Sequence, residues 1–345
     1  MNDNLPDTRY AVRATALGGF PGTDFFDAVH RVRGELGDPH LPFLPVLEAR
    51  GFAAGTLART IACMDGLTAD GTAAGWRVRE GRSREGELAA ATFASDINIL
   101  ADVVGAESHR GGQFKLQLLG PISLAHQLHL HHGERALADS GARRDIRDAF
   151  IAGLDRWLDL LQEAVPQENL VLHLDEPCLR VSLAGEVPTS SGFSRYRAVP
   201  EPEAEESLNL VSQAAQARDI QVILNAPEAL PSDAERTPSW LKPFGALCVP
   251  VGLDERSFEP LAAHLDAGRT VLALLPAEYA GMRLPEAAHT WWRLWRSVGV
   301  PASSLSSVLL CPPVDLTRCG PGQATAQLGR LTELARAVSE LAAEQ

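Results

Sequence analysis

Two acidic side chains close an apolar run in Leu172-His173-Leu174-Asp175-Glu176-Pro177, and they are the plainest candidates for chemistry in this chain. In an extended run alternate side chains share a face, so His173 and Asp175 point together toward the interior while Glu176 is turned away or at the rim. A carboxylate facing a pocket can hold an ammonium group or exchange a proton. Asp175 and Glu176 are therefore the candidate catalytic residues, and His173 is a candidate substrate contact. The bland alternative for this group is a helix cap or a buried ion pair.

Four further places carry residue types suited to a site. Leu17-Gly18-Gly19-Phe20-Pro21-Gly22 pairs two glycines, Gly18 and Gly19, that permit unusual backbone angles and close approach of a ligand to main-chain N–H groups; the alternative is a tight turn into a helix. Asn225, in Ile223-Leu224-Asn225-Ala226-Pro227, ends another apolar run and is a candidate substrate contact. Cys319 precedes Gly320 and is a candidate metal ligand, although a lone cysteine more often serves as a small buried apolar group. His126, His129, His131 and His132 cluster within one segment, but their spacing matches no strong zinc motif and suits a solvated helix end. Trp291, Trp292 and Trp295 read as helix packing rather than a cofactor platform.

Such residues need elements to position them. Short apolar runs near 10–18, 74–80, 113–119, 169–175, 220–225, 246–251, 270–276 and 306–311 read as strands. Amphipathic stretches between them read as helices. One follows Asp24, a candidate cap, with Phe26, Val29, His30 and Val32 as its stripe. Others cover 85–105, 145–165, 202–217, 255–267, 285–298 and 321–343. The 145–165 helix places Ile146, Phe150, Leu154, Trp157, Leu158 and Leu161 on one face. Eight strands alternating with helices predict an α/β fold, a single (β/α)8 TIM barrel forming one domain over 1–345; a doubly wound sheet is the alternative. The glycine-rich dinucleotide fingerprint is missing after the first strand. Segments 38–73 and 178–201, rich in Pro, Gly and Ser, are expected to cover the active face at the carboxyl ends of the strands.

Composition narrows the partners. The 345 residues carry 31 basic and 44 acidic side chains, a formal net charge of -13, which argues against a nucleic-acid partner and for small molecules or proteins, with a small-molecule substrate the expectation. Five scattered cysteines form no CxxC pair and suit free thiols in a reducing cytoplasm. The polar start MNDNLPDTRY has no signal-peptide core, and no run approaches the roughly 20 apolar residues of a membrane span.

The pieces ALGGFPGTD, LLGPISLA, LHLDEPCL, VPTSSGF and TRCGPG, in this order, resemble the cobalamin-independent methionine synthase family, in particular its short single-barrel members. The wider barrel superfamily also includes uroporphyrinogen decarboxylase. The resemblance implies zinc-dependent methyl transfer from a folate to a thiol amino acid, with Asp175 holding the substrate amino group. It also implies four zinc ligands: a His-x-Cys pair after the fifth strand, an acidic residue after the sixth and a cysteine after the eighth. Only Cys319 matches. Ile223, Leu224, Asn225 and Ala226 stand at the His-x-Cys site, and no carboxylate falls near 249–251. The expectation is a methionine-synthase-like barrel in which zinc is absent or atypically bound, a rearranged site of His173, Asp175 and Cys319 being the alternative. Its alternatives are a non-catalytic small-molecule-binding paralogue, or a metal-free enzyme like the decarboxylase using Arg13 and Arg318.

Overall fold

The computed structural model describes residues 11–73, 75–108, 111–230 and 238–344. Tyr10 and Ala74, at the starts of the first two expected strands, lie outside the described residues, as does the polar start of the chain. The first half runs β1 (Arg13–Ala14), α1 (Phe25–Glu35), α2 (Thr56–Ala62), β2 (Leu67–Thr72), β3 (Gly75–Glu80), α3 (Arg84–Ala106), β4 (Gln113–Leu119), α4 (Pro121–Gln127) and α5 (Ser140–Ala164). There follow β5 (Asn169–Asp175), α6 (Leu179–Leu183), α7 (Glu201–Gln216), β6 (Gln221–Asn225) and β7 (Ala246–Pro250). The chain finishes with α8 (Glu255–Asp266), β8 (Thr270–Leu274), α9 (Leu284–Ser297), β9 (Val308–Cys311) and α10 (Pro321–Ala343).

Seven of these strands form a curled parallel sheet in the order β1-β9-β8-β7-β6-β5-β4. Side-chain alternation sorts each strand into two environments. Val171, Ile223, Ala246, Cys248, Leu272, Leu309 and Cys311 meet on the inner face, joined by Leu41. Their neighbours in sequence, among them Leu172, Leu224, Leu247, Val271 and Leu310, face outward into the larger core under the helices. Both faces are therefore buried, which is why the strands read as nearly continuous apolar runs.

The expected strand near 74–80 is not part of this sheet. It is β3, which pairs antiparallel with β2 in a separate hairpin, from Leu67 opposite Glu80 to Thr72 opposite Gly75. The run is apolar on one side only, with Trp76 buried and Arg79 reaching across to Asp70, so it suits a two-stranded surface element better than a strand buried on both faces. The place beside β1 and β4 is taken instead by residues 41–46, which the sequence reading assigns to a loop. The Leu41 N–H donates to the Ala14 carbonyl, the Lys115 N–H to Pro42 and the Leu44 N–H to Lys115. Further along, Val46 bridges Gly19. Pro42 and Pro45 supply no N–H, so the ladder is interrupted and its strand character is hidden in the sequence.

The helices follow their apolar faces. Asp24 caps α1 by accepting the Asp27 N–H, as expected, but Phe26 is 51% exposed and Phe25 takes its place in the core. In α5 the six expected apolar residues are all buried. Trp291 and Trp295 of α9 are buried in the core, Trp291 edge-on to Phe258 of α8. α3 begins at Ser83, which caps the Gly86 N–H, and it is long and apolar enough to cross a membrane by length and composition, contrary to the sequence reading. Its Phe93, Ile97, Leu100 and Val104 stripe packs into the core, with Phe93 stacked on Trp157 of α5.

Phe43 is fully buried in the 41–46 segment, with its ring 5.5 Å from the Lys115 ammonium. Replacing it by alanine removes core contacts beside both sheet edges, and Phe43→Ala is expected to cost about 3–5 kcal/mol in urea-denaturation experiments.

Candidate functional site

The carboxyl ends of β4, β5 and β6 lie in register, with Leu119 beside Asp175 and Asp175 beside Asn225. Above them opens a cavity of about 410 Å3, walled by Gln117, Asp175, Pro177 and Asn225 from the strand ends and by Leu17 and Gly19 from the turn after β1. Segment 38–73 supplies Glu48, Phe52 and residues 55–58 to its rim. Segment 178–201 supplies no lining residue; it packs against the loop after α4, where the Tyr196 hydroxyl donates to Glu134.

The polar wall of this cavity is built around the Asp175 carboxylate. Asn225 donates its amide N–H to Asp175 Oδ1 at 2.7 Å, and His173 Nε2 lies 3.2 Å from the same oxygen. Gln117 donates its amide to the Leu44 carbonyl. Because each amide group has its NH2 committed to an acceptor, its oxygen is the atom left over. Gln117 Oε1 and Asn225 Oδ1 are buried without a hydrogen-bond partner among the described residues. Buried acceptors in this state cost free energy until a donor arrives. The Asp175 carboxylate is the acceptor with exposed surface on this wall, and a primary ammonium fits it, while the two amide oxygens lie behind the surface.

The expected site residues divide. Gly19, Asp175 and Asn225 meet on the cavity wall. Gly18 lines an adjoining, mainly apolar hollow with Leu274, Pro312 and Pro313. Its φ of 118° favours glycine, and an added Cβ would lie 2.3 Å from Gln117. His173 is fully buried beneath the wall, not on it.

Glu176 turns away from the cavity and is 1% exposed. It accepts the Ile122 N–H at 2.9 Å, the Ser123 N–H at 2.8 Å and the Ser123 hydroxyl at 2.7 Å, closing the start of α4. That is the helix-cap alternative weighed for this acidic pair. Burial pushes its carboxyl up to about 7 despite those donors.

Cys319 lies outside the cavity lining, with its thiol 3.9 Å from the Asp315 carbonyl. The arginines expected to approach the mouth are elsewhere. Arg13 stands at the amino end of β1 and donates to Gln113 at the start of β4, while Arg318 is 86% exposed beside Asp315. Among the described residues no three His, Cys, Asp or Glu side chains converge to hold a metal ion, the histidines of 126–132 included.

Sequence reasoning missed Gln117 and the residue two before it, Lys115. The signal was present: in Gln113-Phe-Lys115-Leu-Gln117-Leu the polar residues alternate and must share one face. Lys115 is fully buried, and its Nζ donates to the Ala16 carbonyl and lies 3.0 Å from His173 Nδ1.

Gly18→Ala is expected to displace Gln117 and to lower stability by about 1–3 kcal/mol in thermal or urea unfolding, from the forced backbone angle alone. A second expectation concerns acid. Burial, then the charges of Arg135 and His129, push His126 down to about 4. Below its unfolded pKa of about 6.5 the unfolded chain binds the proton more readily, so stability is lost as pH falls through that range. His126→Gln is expected to flatten part of the loss between about pH 7 and about pH 5 in denaturation midpoints.

No protein-family model matches this chain. No curated protein matches it either. Among solved structures, a B12-independent methionine synthase from Shewanella sp. W3-18-1, in complex with selenomethionine, is similar with a TM-score of 0.54 at 12% identity, over 97% of this chain and 98% of the other. A putative vitamin-B12 independent methionine synthase from Listeria monocytogenes gives a TM-score of 0.55 at 13% identity, over 96% and 98%. Coverage is almost complete on both sides, and the chain shares the fold of these methionine synthase structures.

Proposed function

We propose that this chain is a methionine-synthase-like barrel whose cavity binds a small molecule through its ammonium group, with residues 41–46 serving as the eighth stave of a single (β/α)8 domain. The observation that carries the reading is the Asp175 carboxylate at the end of β5, held by Asn225 and His173 and facing the cavity. A thiol or thioether amino acid meets this carboxylate through its amino group. The fold likeness supports the choice of an amino acid related to methionine over other amines.

The donor set does not fit the family's zinc. Asn225 and Ala226 end the strand where imidazole and thiolate are required, Cys319 stands apart from the cavity, and both nitrogens of His173 already face Lys115 and Asp175. Zinc affinity rests on several correctly placed nitrogen or sulfur ligands, and these residues do not assemble them. Thiol activation by the family's route is therefore left out of the reading, and Glu176 is assigned to α4 rather than to catalysis. All five cysteines are free thiols, in keeping with the cytoplasmic setting expected from the sequence.

The test is calorimetric titration with L-methionine and with methylammonium. Wild-type protein is expected to bind L-methionine, and Asp175→Asn to weaken binding about tenfold or more, the usual loss when a charged hydrogen bond is removed. Unchanged affinity in Asp175→Asn would displace the site. Methyl transfer to homocysteine in the presence of added zinc is expected to be absent; robust turnover would overturn the ligand argument.

A further inference from the structure

A lysine sealed inside a sheet requires an account of its own. Lys115 sits on the inner face of β4, among the Cys248 and Cys311 thiols, with no water-exposed surface. A buried ammonium needs acceptors for its three N–H bonds. Three groups surround it: the Ala16 carbonyl, the His173 Nδ1 lone pair at 3.0 Å, and the face of Phe43 with its ring centre at 5.5 Å. Burial pushes the Lys115 pKa down, and the carbonyl, the imidazole nitrogen, the aromatic face and the nearby Asp175 charge favour its cation against that.

The neighbouring imidazole has two possible neutral forms. If Nδ1 accepts from Lys115, the proton lies on Nε2, which then donates to Asp175 Oδ1 at 3.2 Å. If the proton were on Nδ1 instead, Nε2 would present a lone pair to the Asp175 carboxylate, leaving Cys248 as its nearest thiol at 3.8 Å. Two acceptors would then face each other at Asp175. Burial, followed by the Lys115 charge, pushes the His173 pKa down, which keeps the ring neutral, and burial pushes the Cys248 thiol up, which keeps it protonated.

We propose that Lys115 is a positioning residue: its ammonium holds His173 as the Nε2–H tautomer, and His173 together with Asn225 pins Asp175 Oδ1, leaving the other carboxylate oxygen for the ligand. The chain of contacts runs from the centre of the curled sheet to the cavity wall through Lys115, His173 and Asp175. Lys115 touches no ligand and acts only through its neighbours. The tautomer follows from these contacts alone; its bearing on ligand binding rests on the reading of Asp175 as the ammonium-binding group.

Long-range 1H–15N spectra of protein labelled at histidine test this directly, with the His173 signals identified by their loss in His173→Gln. In the wild type, from about pH 6 to about pH 8, Nδ1 is expected to be unprotonated and Nε2 protonated. Lys115→Met is expected to shift the ring toward the Nδ1–H form or to average the two, and to weaken L-methionine binding about tenfold. An Nδ1–H tautomer or an imidazolium in the wild type overturns the proposal, and so does a Lys115→Met spectrum identical to wild type. The wild-type spectrum decides even if Lys115→Met does not fold. Failure of the wild type to bind any amine falls on the functional reading, while the tautomer still decides the role of Lys115.

Discussion

A polar group taken out of water must find its partners in the place where the fold puts it, and the inside of this curled sheet is organised by that requirement. Lys115, Gln117, His173, Asp175 and Asn225 enter the interior from three adjacent strands. Lys115, His173, Asp175 and Asn225 meet one another only because β4, β5 and β6 are in register, with Gln117 beside His173 and His173 beside Ile223. A slip of one residue would turn the polar side chains outward into the apolar layer beneath the helices. The same register therefore places the Asp175 carboxylate on one wall of the cavity.

The remainder of the structure holds that register. Residues 41–46 hydrogen-bond to both β1 and β4, and their carbonyls take donors from the site itself: Leu44 accepts the Gln117 amide, while Thr15 donates to Leu41. Glu176 fixes the start of α4 to the end of β5 through three hydrogen bonds, and Cys178 adds an N–H to the Ser123 hydroxyl. Two adjacent carboxylates in the sequence thus have opposite tasks. Asp175 faces the cavity with one oxygen pinned, whereas Glu176 has both oxygens occupied by the protein.

The fold is shared with solved B12-independent methionine synthase structures, yet the strand end at 223–226 carries only apolar and amide side chains. What the interior offers instead is a neutral imidazole between a lysine and a carboxylate, with two protonated thiols nearby. This set is suited to fixing a carboxylate. It lacks the converging nitrogen and sulfur donors that would grip one metal ion.

Much of this protein was legible in one dimension. Apolar runs of strand length marked most of the sheet, helical spacing marked the face of α5, and Asp24 announced the start of α1, because each depends on local periodicity or capping. Strand-end position singled out Gly19, Asp175 and Asn225, which line the cavity, but equally Gly18, His173 and Glu176, which do not. Tertiary structure alone decided the rest. Two prolines concealed the pairing of 41–46, since a segment without regular N–H donors has no strand signature until its neighbours are known. Whether β3 joined the main sheet or formed a hairpin depended on partners far from its own sequence. Glu176 became a cap and Lys115 an interior cation for the same reason: the sequence states that a side chain is charged, but only packing states which groups stand around it.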